Sequence, residues 1–318
     1  MALVDRMDPE LREAFPLLPV IDLTDIPTAR ETLLVLLAAA NAEVKPDPDV
    51  IREDHLVPSA DGSPDVLVRS YRPRTQDGPL PCLYWIHGGG HVLGSVDQDD
   101  PLAQSWVQSV GCVVVSVDWR RPPEHPYPAP MDDCYAGLKW TYDNAVELRV
   151  DREQIAVGGA SSGGGSAAGL VLLARDRGEI PVCYQLLIYP MLDDRSVTPS
   201  SHMVTEPQLW NRKSNVIGWN AYLGQSHEDS DVAIYAAPTR TTDLSGLPPT
   251  FLAVGDLDAF LDEDLDYAQR LMQAGVATEL HVYPGAFHGF DLFAPTSKIT
   301  ERFHHDRDSA LRRALRDA

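Results

Sequence analysis

Short apolar runs recur through the middle of the chain and predict the strands of a sheet. They occupy residues 82–88, 112–119, 155–161, 183–190, 250–256 and 278–284. The middle runs are almost continuously apolar, which is typical of parallel strands that are buried on both faces. Segments with a helical pattern lie between the runs, at 128–145, 162–176 and 262–274. Alternating strands and helices predict a doubly wound, mostly parallel α/β sheet.

Two further segments differ from this alternation. Residues 1–50 have a helical pattern with a break marked by prolines between Pro16 and Pro27, and residues 191–248 form a long polar insertion between two predicted strands. A helix is expected within the insertion near 213–223. We expect the two segments to form a helical cap over the carboxyl ends of the strands, which is the edge where open α/β sheets place their sites.

This arrangement divides the chain into four parts. They are an N-terminal part of the cap at 1–50, a first part of the core at 51–190, the cap insertion at 191–248 and a second part of the core at 249–318. The first part of the core is expected to begin with two strands around a turn at Asp61-Gly62, because this dipeptide favours tight hairpins.

The chain is strongly acidic. Its 47 Asp and Glu residues against 26 Lys and Arg residues give a formal net charge of −21. No basic face is available to neutralise phosphates, which argues against binding to nucleic acid or to anionic membrane surfaces. The apolar stretch at 31–40 is too short to span a bilayer, and the early acidic residues do not fit a signal peptide.

The four cysteines are isolated in the sequence and form no CxxC pair. Three of them open or lie within apolar runs, so we expect buried free thiols rather than disulfides or metal ligands. Together with the absence of a signal peptide pattern, this predicts a cytoplasmic protein without a metal site.

The most distinctive motif is GGASSGGG at 158–165, which joins a predicted strand to a predicted helix. Gly159, Ser161 and Gly163 match the pattern G-x-S-x-G, which in this context presents a serine on a sharp turn above the sheet. Side chains two residues before and two residues after that serine would collide, which explains the glycines. The motif predicts that Ser161 is a nucleophile. It also predicts that Ser162 contributes through its backbone N–H and not through its hydroxyl.

Two other interpretations of this motif fit less well. With Ser162 as the nucleophile, the positions that need clearance would be Ala160 and Gly164. A phosphate-binding loop would need the pattern G-x-x-x-x-G-K-[ST] or G-x-G-x-x-G, and neither is present at 158–165,.

A serine nucleophile needs a base and hydrogen-bond donors for the oxyanion that develops. The segment His87-Gly88-Gly89-Gly90 follows a predicted buried strand. Its three glycines allow the backbone to pass close to a substrate with its N–H groups turned inward. We interpret His87 as a structural brace of this loop rather than as the base.

Five motifs follow one another within residues 65–295: HGGGHVLGS, DWRRPPEHPYPAP, GGASSGGG, DAFLDED and YPGAFHGF. In this order they resemble the hormone-sensitive lipase family of α/β hydrolases, the bacterial family IV esterases. The resemblance implies an α/β-hydrolase fold with a helical cap.

The resemblance also implies a catalytic triad of Ser161, His288 and Asp258. His288 lies in YPGAFHGF just after a predicted strand, and the chain order Ser–Asp–His is that of this fold,. The family pattern D-P-L-x-D-E maps onto residues 258–263, where alanine and phenylalanine replace its proline and leucine. Asp258 is then the acid that orients His288, with Asp256 as the alternative.

Two other groups take their roles from the resemblance. The backbone N–H groups of Gly89, Gly90 and Ser162 are expected to form the oxyanion hole. The proline-rich motif shares charged residues with the family, which we interpret as scaffold beneath the site, with Glu124 near the nucleophile. These charged residues are Asp118, Arg120, Glu124 and His125.

The expected activity is hydrolysis of short- to medium-chain carboxylic esters through an acyl-enzyme, with no cofactor. Amide cleavage by the same triad, as in formamidases, remains an alternative, while His288 argues against a receptor that only binds its ligand. Relatives often pair through the last sheet strand, which implies a homodimer through residues 278–284. Four aromatic residues of the cap are candidates for an apolar pocket: Trp210, Trp219, Tyr222 and Tyr235.

Overall fold

An eight-stranded sheet forms the centre of the protein, as seen in a computed structural model that describes residues 2–41, 45–59, 62, 64–224 and 231–316. The strands are β1 (Val50–Val57), β2 (Val66–Pro73), β3 (Leu80–Ile86), β4 (Val113–Asp118), β5 (Val150–Ala160), β6 (Tyr184–Ile188), β7 (Thr250–Gly255) and β8 (Thr278–Tyr283). Their order in the sheet is β1-β2-β4-β3-β5-β6-β7-β8. Strand β2 is antiparallel to β1 and β4, and the remaining neighbours are parallel. The predicted α/β fold is confirmed.

Helices cover this sheet and form the cap. They are α1 (Leu3–Arg6), α2 (Pro9–Ala14), α3 (Ile26–Asn41), α4 (Asp100–Ser109), α5 (Ala129–Asp143), α6 (Ala145–Leu148), α7 (Ser162–Arg177), α8 (Pro199–Met203), α9 (Arg212–Leu223), α10 (Leu261–Gln273), α11 (Phe290–Phe293) and α12 (Lys298–Arg316). Every residue of β6 and β7 is buried, which explains why these strands read as continuous apolar runs.

Parallel pairing brings distant segments to one edge of the sheet. Gly159 of β5 pairs with Ile86 of β3 on one side and with Leu187 of β6 on the other. Gly255 at the end of β7 pairs with Tyr283 at the end of β8. The segments that follow these strand ends carry the residues singled out by the sequence, so the topology gathers them at the carboxyl edge.

Helices α1–α3 and α8–α9 lie in the two segments outside the strand–helix alternation. Arg30 of α3 attaches the first segment to the core, donating to the carbonyl of Val92 at 2.8 Å and pairing with Glu124 at 2.9 Å. Lys213 and Asp22 link the two cap segments at 3.2 Å. None of the helices in the described ranges has the length and apolar character that a bilayer span requires.

The hairpin expected at the start of the core has the predicted strands. β1 and β2 pair in antiparallel register from Val50 opposite Pro73 to Val57 opposite Val66. Asp61 of the predicted turn lies outside the described residues.

Acidic residues open α10, and two of them are buried. Glu263 accepts hydrogen bonds from the N–H groups of Leu192 and Asp193 at 2.7 and 3.1 Å. Asp264 is fully buried, and its carboxylate oxygens have no hydrogen-bond partner among the described residues. Burial, together with the nearby Glu263 and Asp258, raises the pKa of Asp264 well above 3.8. This carboxyl therefore favours the protonated form in the folded state.

The Tm of the Asp264→Asn variant minus that of the wild type is expected to increase as pH rises. A group with a raised folded-state pKa binds its proton more tightly when folded, so its contribution is complete below the unfolded pKa and is lost as pH rises through the folded one. Differential scanning calorimetry between about pH 5 and about pH 8 should show the difference in Tm widening by a few degrees, since each unit of pKa displacement is worth about 1.4 kcal/mol.

Asp266→Asn is the matched control, because this side chain lies on the same helix, is 61% exposed and pairs with Arg270 at 3.6 Å. The difference in Tm between Asp266→Asn and the wild type should stay small over the same pH range. A difference for Asp264→Asn that does not change with pH would contradict the argument.

Candidate active site

Ser161 lies at the sharp turn between β5 and α7. Its backbone has φ 58° and ψ −125°, a region that residues other than glycine rarely adopt,. Hydrogen bonds to the end of β6 and to the segment after it hold the turn. Ser161 N donates to the carbonyl of Ile188 at 2.9 Å, and Met191 N donates to the carbonyl of Ser161 at 2.9 Å. The serine is thus held in a strained conformation at the edge of the sheet.

The glycines of the motif provide the clearance that the sequence predicted. A Cβ atom at Gly159 would lie 2.2 Å from the carbonyl oxygen of Gly163. One at Gly163 would lie 2.1 Å from the carbonyl oxygen of Ile86. Both contacts are with backbone atoms, so neither position accepts a side chain without a shift of the turn.

The structure brings the three residues of the predicted triad into one hydrogen-bonded chain. Ser161 Oγ lies 2.8 Å from His288 Nε2. His288 Nδ1 lies 2.8 Å from Asp258 Oδ2. The other carboxylate oxygen of Asp258 accepts the backbone N–H of Phe260 at 2.9 Å, and Asp258 is fully buried. An N–H at Nδ1 leaves Nε2 free to accept the proton of the serine hydroxyl.

The alternative acid and two other histidines, His281 and His91, contact groups outside the triad. Asp256 accepts the backbone N–H of Gly285 at 2.6 Å. His281 lies 2.9 Å from Glu279. His91 is buried, and its ring stacks on Tyr222 with a centroid distance of 3.9 Å. Burial lowers the pKa of His91 to about 3, so this side chain is neutral and serves packing.

The loop His87-Gly88-Gly89-Gly90 passes directly beside the serine. A Cβ atom at Gly88 would lie 3.3 Å from Ser161 Cβ. Gly89 and Gly90 have φ values of 131° and 59°, which favour glycine. Within the described ranges, no acceptor takes their N–H groups, nor that of Ser162 at the start of α7, where the first N–H groups lack intrahelical partners,. These donors are available to a ligand.

The cap packs tightly on this loop. A Cβ atom at Gly90 would lie 1.9 Å from Cη2 of Trp210, and one at Gly218 of α9 would lie 2.6 Å from the carbonyl oxygen of Gly90. Glycine at both positions lets the loop and the cap approach each other.

Replacement of Gly89 by alanine is expected to lower kcat by about 10²–10³-fold, the range for loss of one oxyanion donor. The new Cβ would lie 2.2 Å from the carbonyl oxygen of Leu93, so the loop must shift and carry its N–H groups away. Gly78→Ala is the matched control, because Gly78 also has a positive φ, 153°, but has no atom within 4 Å of a new Cβ. Equal losses of kcat in the two variants would contradict the assignment.

His87 is buried within this loop as a brace. Its Nδ1 lies 2.8 Å from the carbonyl oxygen of Gly88, and its ring stacks on Trp119 with a centroid distance of 4.9 Å. Its Nε2 lies 3.7 Å from Asp118. Arg120 of the proline-rich motif pairs with the buried Asp133 of α5 at 2.7 Å.

Glu124 differs from its expected position near the nucleophile. Its side chain is 52% exposed, pairs with Arg30 of the cap and does not contribute to the wall of the cavity beside Ser161. The charge of the glutamate thus fastens α3 to the core. The hydroxyl of Ser162 is buried without a partner among the described residues, so it adds no contact.

A cavity of about 210 Å³ opens beside Ser161 and His288. Both cap segments line it, with Pro19, Ile21, Leu23 and Leu33 from the first and residues 207–210 and Ser214 from the second. Among the four cap aromatics proposed for a pocket, Trp210 lines this cavity. The prediction does not hold for the other three: Trp219 and Tyr222 pack against His91, and Tyr235 donates a hydrogen bond to Asp176.

Sequence reasoning missed the polar part of the cavity wall, which includes Asp99, Asp291 and Arg307. Asp291 lies three residues after His288, and this spacing would have been a usable signal. Arg307 lies on α12, beyond the region of family resemblance, and no local pattern connects it to the site.

Comparison with known proteins identifies the family. A family model described as the alpha/beta hydrolase fold matches residues 83–292. The chain is 38% identical to the carboxylesterase NlhH of Mycobacterium tuberculosis over 260 residues, which are 80% of each protein. The solved structure of a bacterial heroin esterase matches with a TM-score of 0.95 and 44% identity over 98% of this chain and 99% of the other. The structure of the esterase LipW from Mycobacterium marinum matches with a TM-score of 0.87 and 36% identity, covering 98% and 96%.

These matches extend over most of the chain and agree with the motifs, the sheet topology and the geometry around Ser161. The chain therefore belongs to the α/β-hydrolase family and, within it, to the esterases related to hormone-sensitive lipase, which are serine carboxylic ester hydrolases.

Proposed function

We propose that this protein hydrolyses short- to medium-chain carboxylic esters with Ser161 as nucleophile, His288 as base and Asp258 as orienting acid. The observation that carries the proposal is the continuous chain of two 2.8 Å contacts from Ser161 Oγ through the imidazole to the buried carboxylate of Asp258. His288 takes the hydroxyl proton as Ser161 attacks the ester carbonyl, and Asp258 stabilises the imidazolium that forms.

The oxyanion of the tetrahedral intermediate is held by the N–H groups of Gly89, Gly90 and Ser162. His288 then returns its proton to the departing alcohol, which leaves an ester of the acyl group with Ser161. Water, deprotonated by His288, attacks this acyl-enzyme, and the acid product is released as the serine regains its proton. The free state of the three N–H groups and their position beside Ser161 support this role.

The size of the cavity supports a preference for small substrates. The cavity of about 210 Å³ is smaller than the roughly 300–1,000 Å³ typical of sites for drug-sized ligands. Segments 1–50 and 191–248 both contribute to its wall, in agreement with a cap formed from these two parts of the chain.

The test combines labelling and turnover. A fluorophosphonate should label the wild type at Ser161, identified by peptide mass spectrometry, and nitrophenyl esters of increasing acyl length should lose kcat/KM once the acyl chain exceeds the cavity. A matched anilide tests amide cleavage, and heroin belongs in the panel because one similar structure is that of a heroin esterase. Labelling at another residue, or anilide turnover that exceeds ester turnover, would contradict the proposal.

We also propose a homodimer through β8. Within the described residues, β8 pairs with β7 on one side and has no strand on the other. Its first four residues are half-buried, and an unpaired edge of this kind can pair with a second copy. Sedimentation velocity should give twice the mass of one chain, and a proline at Leu280 should shift the protein to monomers. A monomer at all concentrations would overturn the proposal.

A cytoplasmic location is the third part of the proposal. Cys82, Cys112 and Cys134 are buried, Cys183 is half-buried, and all four are free thiols. Free thiols agree with a reducing compartment. Cell fractionation that recovered the protein outside the cytoplasm would overturn this assignment.

A further inference from the structure

Part of the wall of the active-site cavity is acidic. Asp99 and Asp291 both line it, with 9% and 7% of their surfaces exposed. Each carboxylate accepts one hydrogen bond from an aromatic side chain: Asp99 Oδ2 from Trp85 Nε1 at 2.6 Å, and Asp291 Oδ1 from the hydroxyl of Tyr189 at 2.9 Å. Neither forms an ion pair with another of the described residues. The side chain of Gln98 also hydrogen-bonds Asp99, whereas Asp291 Oδ2 has no hydrogen-bond partner among the described residues.

A cation is also present in the wall, but its charge is already matched. Arg307 Nε lies 2.8 Å from Asp308 Oδ1. The guanidinium lies over the rings of Trp106 and Phe303, at 4.9 and 5.4 Å from their centroids. Asp308 thus compensates Arg307, while Asp99 and Asp291 form no ion pair within the described part of the chain. Burial lowers the pKa of His304, a basic group near Asp291, which favours its neutral form.

Two carboxylates with little access to water are an unfavourable arrangement unless a cation lies between them. Burial raises the pKa of Asp99. Trp85, His87 and Gln98 oppose this shift, and the charge of Asp291 makes the smallest contribution to it. A positively charged group in the cavity would reduce this repulsion and donate a short, charge-assisted hydrogen bond to a carboxylate oxygen.

We propose that Asp99 and Asp291 form a subsite for a protonated amine, so that the preferred substrates are esters that carry an ammonium group on one side of the carbonyl. The proposal rests on the proposed function of Ser161 and His288, which lie in the same cavity. Apolar side chains such as Leu33, Leu93 and Leu102 line the remaining wall and would contact the hydrocarbon between ester and amine.

Isosteric ester pairs test the proposal without any mutation. Dimethylaminoethyl acetate and isoamyl acetate differ by an N–H⁺ group in place of a C–H group in the alcohol. Ethyl dimethylaminobutanoate and its carbon isostere carry the same difference in the acyl chain. At pH 7 we expect kcat/KM for the cationic ester to exceed that of its neutral partner by about tenfold or more in one of the two pairs, the range for a hydrogen bond to a charged group.

Variants then assign the preference to the two carboxylates. Asp99→Asn and Asp291→Asn should each reduce the ratio of kcat/KM for the cationic to the neutral ester by about tenfold. Glu301→Gln is the matched control, because Glu301 is an exposed acid on α12 whose loss changes the net charge by the same amount. It should leave the ratio as in the wild type. Melting temperatures verify that each variant is folded.

Calorimetry separates this proposal from the proposed function. The Ser161→Ala protein should bind the cationic ester at least about tenfold more tightly than its neutral isostere, whether or not the wild type turns esters over. Ratios near one in both pairs, in kinetics and in binding, would overturn the amine subsite while hydrolysis of the neutral esters would still support the esterase. If no ester were turned over but the difference in Kd were retained, the amine subsite would be supported and the esterase activity overturned.

Discussion

Replacement of Ser161 by alanine is expected to lower kcat for a nitrophenyl ester by roughly 10⁶-fold, the loss seen when the nucleophile of a triad is removed. The hydroxyl oxygen of Ser161 lies 2.8 Å from His288 Nε2. Alanine has a methyl group in place of the hydroxymethyl group, and a methyl group can neither attack the ester nor transfer a proton. The residual rate, from the oxyanion donors and substrate binding, is measured in single-turnover experiments with purified protein.

Ser162→Ala provides the control for the neighbouring serine. Its hydroxyl has no partner in the described part of the chain, whereas its proposed contribution is the backbone N–H, which alanine retains. The loss of kcat should therefore be far smaller than for Ser161→Ala. A loss as large as that of Ser161→Ala would instead indicate that Ser162 is the nucleophile, the alternative interpretation of the motif.

The Asp258→Asn variant is expected to lower kcat by about 10⁴-fold while the protein keeps its fold. Asp258 Oδ2 lies 2.8 Å from His288 Nδ1. An amide nitrogen there would donate to Nδ1 and favour the tautomer with hydrogen on Nε2, which can no longer accept the serine proton. Steady-state kinetics should show the change in kcat, with KM much less affected.

Asp256→Asn is the matched control, because Asp256 is the alternative acid of the same segment. Its carboxylate accepts the N–H of Gly285 at 2.6 Å, and Arg6 lies 3.8 Å from its other oxygen. A small loss of kcat is expected. If Asp256→Asn and Asp258→Asn lost activity equally, the orienting role could not belong to Asp258 alone.

The fold could be predicted because its signals are local. The segment from β5 into α7 shows this: a continuous apolar run, a serine between spaced glycines and a helical pattern follow within one stretch of sequence. The structure supplies the reason for the glycines, since a Cβ atom at Gly159 or Gly163 would lie about 2 Å from backbone oxygen atoms. Such constraints act between near neighbours and leave a readable pattern.

The wall of the cavity could not be predicted because it depends on contacts between distant segments. Arg307 of α12 reaches the site only through tertiary packing, and Asp99 becomes a wall residue because the indole of Trp85 holds its carboxylate there at 2.6 Å. Glu124 was expected near the nucleophile, but its position follows from Arg30, which lies 94 residues earlier in the chain. No periodicity within either segment encodes such a partner.

The tight fit of Trp210 and Gly218 against Gly90 has a consequence for substrate entry. Outward movement of helix α9 would remove its packing against this loop, whose N–H groups we propose as donors to the oxyanion. Substrate access and turnover therefore depend on the same contact. A homologue that lacks this helix should have a lower kcat as well as a lower selectivity.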